Sequence, residues 1–131
     1  MESKTIKVLV VEPENTPVVE TIEASLESYQ EIVGGYIEVI YPFDDPVALI
    51  CNEEGKIDGL PWNRAMYDES GNVWDIIAGT FLIVGADPSE EDFGGLTEEL
   101  IDKYKRRFWA AETFLGVNGE IRVIRFADKE D

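Results

Sequence analysis

The longest apolar stretch of the chain, VWDIIAGTFLIV at residues 73–84, constrains the fold more than any other segment. It is too short to span a bilayer, which takes about 20 apolar residues. Its β-branched and aromatic side chains favour a strand, and a strand that is apolar on both sides must be covered on both faces. Gly79, inside the stretch, indicates a bend or a close backbone approach. The stretch therefore predicts a buried strand at the centre of a layered domain.

Further strands and turns follow from the same kind of pattern. Strands are predicted at 5–12 (TIKVLVVE), 36–41 (YIEVIY), 47–51 (VALIC) and 119–126 (GEIRVIRF). Turns or loops are predicted at 42–46 (PFDDP), 52–56 (NEEGK), 68–72 (DESGN) and 85–95. In NEEGK we expect Gly55 to supply a positive φ. The stretch LPWNRAM, residues 60–66, predicts a short helical turn.

Two amphipathic helices are predicted. Thr16 is a suitable N-cap and Pro17 fits the first helical position, and Gly34-Gly35 would end that helix. Its apolar stripe consists of Val19, Ile22, Leu26, Tyr29 and Val33. Thr97 would cap a second helix, whose inward face consists of Leu100, Ile101, Tyr104 and Phe108.

The predicted order of elements is β-α-β-β-β-α-β. This order indicates an α+β fold in which two amphipathic helices pack on a mostly antiparallel sheet. The length of 131 residues suits one domain, residues 1–131, with a substantial core.

The charge of the chain restricts its partners. Twenty-eight acidic residues against eleven basic ones give a net charge of −17, and no Lys or Arg occurs from Val8 to Gly55 or from Ala65 to Asp102. Such a surface repels nucleic acid and anionic membranes and attracts a basic partner. The first residues lack the charged-then-apolar pattern of a secretory leader, and the single cysteine allows no internal disulfide. We therefore expect a cytoplasmic protein that binds neither nucleic acid directly nor membrane.

The sequence offers little for catalysis. It contains no histidine, so it lacks Ser-His-Asp and Cys-His machinery and any histidine-based zinc site. Cys51 lies in an apolar run and is typical of a buried thiol. The carboxylates of residues 44–58 do not follow the spacing of a calcium-binding loop. We expect no catalytic residue, no cofactor, no metal and no enzymatic activity.

Two groups of residues are candidates for binding. Glu20, Glu23, Glu27 and Glu31 would lie along one line of the first helix and form either a solvated face or a partner-binding face. In the second group, Arg64 either forms an ion pair with Asp44 or Asp45, which we favour, or binds an anion beside a stacking Trp62. The full set of candidate ligand-binding residues is Asp44, Asp45, Asn52, Trp62 and Arg64.

One basic cluster, KYKRRFW at residues 103–109, interleaves cations with aromatic residues. Such a pattern can contact nucleic acid. It also lies near a helix C-terminus, where cations complement the helix dipole, and Tyr104 and Phe108 are needed for the core. We interpret the cluster as structural.

Four blocks of the chain resemble a known family. VLVVEP, VGGYIEVIYPFDDPVALICNEEGK, GLPWNRA and WDIIAGTFLIVG, in this order and spacing, are similar to the domain of unknown function 3846 over about residues 6 to 110. That family occurs in phages and conjugative elements and has no established activity or site residues. The resemblance therefore implies a setting in mobile DNA, where small acidic accessory proteins often counter host defence.

These observations lead to a functional hypothesis and an alternative. The hypothesis is a non-enzymatic accessory protein of a mobile element, whose acidic surface occupies a basic, nucleic-acid-binding site on a host protein. The alternative is a small-ligand or nucleotide-binding domain that uses the loops between Asp44 and Arg64. A third possibility is a domain that scaffolds its own oligomer.

Overall fold

The computed structural model describes residues 4–125. In chain order its elements are β1 (Thr5–Val11), β2 (Val18–Glu23), α1 (Leu26–Val33), β3 (Ile37–Ile40), β4 (Val47–Asn52), β5 (Trp62–Tyr67), β6 (Val73–Ala78), β7 (Phe81–Gly85), α2 (Glu98–Arg107), β8 (Glu112–Val117) and β9 (Glu120–Arg125). The predicted α+β class with two helices is confirmed, and all pairs among these strands are antiparallel. The described residues do not include residues 1–3, which belong to the N-terminal segment considered as a leader. They also do not include Phe126, the end of the last predicted strand.

Five strands form the main sheet, in the order β2-β1-β7-β4-β3. β7 lies at its centre, where Ile83 stands opposite Leu9 of β1 and Leu49 of β4. Every residue of β4 and β7 is buried, because both faces of the sheet are covered. The second half of the apolar run 73–84 is therefore the central strand that the sequence predicts.

The two helices cover opposite faces of this sheet. On one face α1 contributes Tyr29 and Val33 to a core cluster that also contains Ile6, Val8, Val10, Ala48, Ile50, Leu82 and Val84. On the other face lie α2 and the β5–β6 hairpin. Their cluster includes Leu9, Val11, Leu49, Met66, Ile77, Phe81, Ile101, Tyr104 and Phe108. We call these two sides of the sheet the α1 face and the α2 face.

The first predicted helix is wrong in its N-terminal half. Residues 18–23 form β2, an edge strand paired with β1, and α1 begins only after Ser25, whose side chain accepts a hydrogen bond from the Ser28 N–H at 3.2 Å. Val18, Val19, Thr21 and Ile22 are β-branched, which favours extended backbone when an adjacent strand offers hydrogen bonds. Thr97 does cap α2, accepting from the Leu100 N–H, as predicted.

The run 73–84 is two strands rather than one. Gly79, with φ 81°, separates β6 from β7, and these strands belong to different sheets. A Cβ at Gly79 would lie 2.7 Å from a methyl carbon of Leu60. Both the bend and the close approach expected of Gly79 are therefore present.

Two other local predictions need correction, and one strand is absent from the sequence prediction. Residues 62–67 form β5 instead of a helical turn, and its register shifts near Trp62 and Met66 disrupt the simple alternation. Gly55 does not supply the positive φ of its turn, which Gly59 supplies with φ 72°. A Cβ at Gly55 would instead lie 2.7 Å from the carbonyl oxygen of Ala78. β8, which pairs with β9, was not predicted at all.

Candidate functional site

The four predicted glutamates do not form one line. Glu20 stands opposite Val8, so its side chain lies on the α1 face, and Glu27 and Glu31 are exposed on α1 itself. Glu23 stands opposite Thr5 and lies on the α2 face, because successive strand residues alternate between faces. The expectation of a single helical line is therefore wrong, and three of the four residues share a side of the fold.

A second acidic segment joins these three. In the loop that follows β7, Phe93 packs edge-to-face against Tyr29 of α1, with ring centroids 6.1 Å apart. Burial, and the neighbouring Asp92 carboxylate, raise the pKa of the Tyr29 hydroxyl. The same loop carries four exposed acids, which are Asp87, Glu90, Glu91 and Asp92. We define the acidic face as Glu20, Glu27, Glu31, Asp87, Glu90, Glu91 and Asp92.

Most of the cations lie elsewhere. Lys4 borders the acidic face, in a shallow pocket beside Asp87 and Glu90. On the α2 side, Lys7 pairs with Glu98 at 3.6 Å and Lys103 with Asp45 at 2.6 Å. Within residues 4–125, none of the seven side chains of the acidic face forms an ion pair. The cations described here are therefore distributed unevenly between the two faces.

Arg64 is fully buried, and it pairs with neither Asp44 nor Asp45, so the predicted ion pair is wrong. Its guanidinium donates mainly to main-chain carbonyls, from Nη2 to Phe108 O at 2.8 Å and to Asn15 O at 2.7 Å. Nη1 donates to the Asn63 side chain at 2.8 Å. Burial lowers the pKa of Arg64, against the opposing effect of Glu112. Arg64 therefore ties three segments of the chain together.

The other candidate ligand residues are also scattered. Trp62 is half-buried against Phe114, with ring centroids 6.4 Å apart. Asn52 is buried, donates to the Val33 carbonyl at 3.2 Å and accepts from the Glu54 N–H at 2.8 Å. Both side chains have structural partners, so the five candidates do not form one pocket.

Asp45 and Asp44 do border a cleft. Oδ2 of Asp45 accepts hydrogen bonds from Lys103 Nζ and Tyr104 Oη, both at 2.6 Å. The bond from Lys103, followed by that from Tyr104, lowers the pKa of Asp45. Burial and the bond to Asp45 raise the pKa of Tyr104. This contact fixes the 42–46 turn to α2 and leaves the exposed Asp44 at the edge of the cleft.

The cleft itself has a volume of about 750 Å³ and lies between the 41–45 segment, the β5–β6 turn and α2. Two of its aromatic rings are open to solvent, Tyr41 with 65% and Trp74 with 50% of the residue exposed. Lys103, Arg106 and Arg107 line the opposite wall. Sequence analysis missed Trp74, because it lies in the longest apolar run and its exposure follows only from the strand break at Gly79.

A buried carboxylate lies on the far side of Tyr67. The side chain of Glu112 is 1% exposed, and its Oε1 accepts from the Ala65 N–H at 2.8 Å and from the Tyr67 hydroxyl at 3.4 Å. Its Oε2 lies 3.6 Å from Arg125 Nε and accepts no hydrogen bond within residues 4–125. Burial raises the pKa of Glu112, although the Ala65 N–H and the guanidinium groups of Arg125, Arg107 and Arg64 act against that rise. Local sequence patterns do not indicate this site, because they do not identify β8 as a strand.

The basic cluster at residues 103–109 is integrated into the fold. Tyr104 and Phe108 are buried in the core on the α2 face. The guanidinium of Arg107 lies over the rings of Tyr67 and Phe108, 5.3 and 5.1 Å from their centroids. The structural interpretation is confirmed for Tyr104 and Phe108, whereas Arg107 also lines the cleft.

Among residues 4–125, no three Cys, Asp or Glu side chains converge as metal ligands. In the same part of the chain, neither helix is long and apolar enough to cross a membrane.

Comparison with known families decides the relationship. The sequence model of one family, the domain of unknown function DUF3846, matches residues 6–109. The chain belongs to the DUF3846 family. Neither a curated protein nor a solved structure matches it. The DUF3846 match covers the main sheet, both helices and the β5–β6 hairpin, whereas the β8–β9 hairpin lies outside the matched span.

Proposed function

We propose that this DUF3846 protein is a non-enzymatic accessory protein of a mobile element such as a phage, and that its acidic face docks on a basic, nucleic-acid-binding surface of a host protein. The observation that carries the proposal is the contact between Tyr29 and Phe93. It brings the end of the acidic loop 87–92 to α1, where the Asp92 carboxylate contributes to the raised pKa of Tyr29. We infer that the carboxylates of the loop and of α1 act together on a partner.

Charge density explains why both groups are needed. Glu27 and Glu31 are four residues apart and about 6 Å apart along the helix axis. A DNA duplex carries one charge about every 1.7 Å, so α1 alone is too sparse to replace it. Loop 87–92 and Glu20 add five exposed carboxylates. Glu20 lies on the α1 face, and the loop extends from its contact with α1 to a pocket that it shares with Asp44 and Asp45. Like charges at this spacing repel one another, and a basic partner relieves that repulsion.

The separation of charge also supports an oriented complex. Arg107 of α2 and Arg125 of the β8–β9 hairpin lie beside Tyr67 on the α2 side and would repel a basic partner. Lys103, whose partner Asp45 shares a pocket with loop 87–92, is paired. Encounter would therefore be steered toward α1 and loop 87–92, and salt would weaken it.

A pull-down from a lysate of the host tests the proposal. In the test variant Glu27, Glu31, Glu90 and Glu91 are replaced by Gln. The matched control replaces Asp58 by Asn, Glu69 and Glu99 by Gln and Asp102 by Asn, which removes the same number of charges from exposed positions elsewhere. The wild type and the control should capture the same basic protein at low salt, and added duplex DNA should release it. The test variant should lose it. Equal capture by both variants would contradict the proposal.

The second candidate function is binding of a small ligand or nucleotide, and the cleft is the observation that favours it. Pockets of this size commonly hold small molecules. Its exposed ring is Trp74 instead of Trp62, and its cations come from α2 instead of Arg64. Titration of nucleotides should quench tryptophan fluorescence in the wild type and in Trp62→Phe, but not in Trp74→Phe. If no nucleotide changes the Trp74 signal, the nucleotide version of this candidate is wrong.

A further inference from the structure

The β8–β9 hairpin buries little of its own surface against the rest of the fold. Among the residues of its two strands only Glu112 is buried, and it is charged. Apolar side chains on the hairpin, such as Leu115, Ile121 and Ile124, are more than 40% exposed. A hairpin that buries so little apolar surface opens at a low free-energy cost.

Within residues 4–125, the hydrogen bonds that connect the hairpin to the rest of the fold involve Glu112 and Arg125. Glu112 accepts from the Ala65 N–H, and Arg125 Nη2 donates to the Arg107 carbonyl at 2.9 Å. The ring contact between Phe114 and Trp62 adds an apolar component. The attachment therefore depends strongly on how well the Glu112 carboxylate is bound.

The surroundings of that carboxylate have the composition of an anion site. The donors that lie outside the hairpin are the Ala65 N–H, the Tyr67 hydroxyl and the guanidinium of Arg107, which lies 5.3 Å from the centroid of the Tyr67 ring. Arg125 belongs to β9 and would leave together with Glu112. Such donors bind carboxylates and phosphates in proteins. Oε2 of Glu112 accepts no hydrogen bond within residues 4–125, so Glu112 fills the site incompletely.

We propose that the pocket around Glu112 is a binding site for the carboxylate or phosphate group of a ligand, and that the β8–β9 hairpin occupies this pocket with Glu112 until such a group displaces it. Tyr67 and Arg107 also line the cleft, so the displaced pocket opens toward it. The proposal rests on the second candidate function for this access route, and it gives the ligand of the cleft an anionic group. Ala65, Tyr67 and Arg107 lie within the DUF3846 match, whereas the hairpin does not.

Competition by Glu112 has a thermodynamic consequence. If the pocket is available only in the minor population with an open hairpin, the apparent affinity for an anion is reduced by that fraction. Removing the carboxylate should therefore strengthen anion binding, whereas removing a purely structural ion pair should only destabilise the hairpin.

The test is amide hydrogen exchange of the full chain in sodium chloride, sodium acetate and sodium phosphate at equal ionic strength. Acetate or phosphate should accelerate exchange of residues 113–125 several-fold over chloride, with exchange of β7 unchanged. A response to acetate alone indicates a carboxylate ligand, and a response to phosphate alone indicates a phosphate ligand. Identical hairpin exchange in the three salts would overturn the proposal.

Two variants make the test specific. Glu112→Ala should bind the effective anion about tenfold more tightly than the wild type, measured by calorimetry, because no internal carboxylate competes. Glu112→Gln, which still fills the pocket, should gain less. No gain in Glu112→Ala would count against the proposal, and the wild-type exchange data remain decisive if this variant does not fold. None of these readouts uses Trp74, so failure of the anion site and failure of the cleft as a nucleotide site are distinguishable.

Discussion

The guanidinium of Arg64 donates two hydrogen bonds to the carbonyl of Phe108, the residue that ends α2, at distances of 3.3 and 2.8 Å. A third bond, to Asn15 in the turn after β1, connects the same side chain to the start of the chain. Arg64, which the sequence suggests as a ligand-binding residue, is therefore a buried structural residue that connects distant segments of the chain.

Replacing Arg64 should lower the stability of the fold. Arg64→Ala leaves buried carbonyls without donors and removes a neighbouring positive charge from Glu112, so we expect a loss of about 3 kcal/mol or more in the free energy of unfolding. Arg122→Ala is the control, since Arg122 is exposed and its ion pair with Glu120 is worth less than about 1 kcal/mol. Urea denaturation measures both. A loss for Arg64→Ala no larger than that of the control would contradict the assignment.

The position of the first helix gives a second prediction. Ser25 caps α1, so Ser25→Ala should lower the free energy of unfolding by about 1 kcal/mol. Thr16→Ala, at the cap that the sequence favours, should have no comparable effect, because Thr16 lies in an exposed loop before β2. Thermal unfolding of the two variants distinguishes a helix that begins after Ser25 from one that begins after Thr16. A larger effect of Thr16→Ala would support the longer helix.

The predicted cap Thr16 and the observed cap Ser25 differ because local sequence patterns do not contain the pairing of β2 with β1. Spacings of three and four between Val19, Ile22 and Leu26 fit a helix. In the structure these residues belong to or follow β2, an edge strand that is held extended by hydrogen bonds to β1. Pairing with β1 is a tertiary effect that local periodicity does not contain. The buried strands 5–11, 47–52 and 81–85 were predictable, because a short continuous run of apolar residues is typical of a strand that is buried on both faces.

The sequence indicates which types of residue form the candidate sites, but it does not indicate where those residues lie in the fold. The uneven charge is visible in the sequence, and the grouping of Glu20 and Glu31 with loop 87–92 depends on the contact between Tyr29 and Phe93. Likewise, the sequence shows tryptophans and arginines, but burial decides that Arg64 is structural and that Trp74 faces the cleft.

Gly55 gives a third prediction, which tests a close backbone approach. A Cβ there would lie 2.7 Å from the Ala78 carbonyl oxygen, so Gly55→Ala should cost about 1–3 kcal/mol through displacement of β6. At Gly116 an added Cβ meets nothing within 4 Å and the φ is ordinary. Gly116→Ala should therefore be nearly neutral in the same denaturation experiment, and equal effects at the two positions would be inconsistent with the packing of β6.

The contact of Asp45 with Lys103 and Tyr104 predicts a pH dependence. Because the folded-state pKa of Asp45 lies below its ordinary value of 3.8, the ionised carboxylate stabilises the fold above that pH. The stabilisation is lost as the pH falls through the lowered pKa. The stability difference between the wild type and Asp45→Asn should thus be constant near neutral pH and shrink below about pH 4.

Denaturation of both proteins across this pH range checks the prediction, with Asp44→Asn as the matched control. Asp44 is the exposed neighbour of Asp45 and no hydrogen bond to its side chain is found within residues 4–125. A stability difference for Asp45→Asn that does not change below neutral pH would contradict the contact.

The central claim, that the acidic face is the docking surface, is tested most directly by hydrogen exchange on the complex with the captured host protein. The account predicts slowed exchange in α1 and in residues 86–94, relieved by added salt, with no change in α2. Protection confined to α2 or to the rim of the cleft, with α1 and residues 86–94 unchanged, would contradict it.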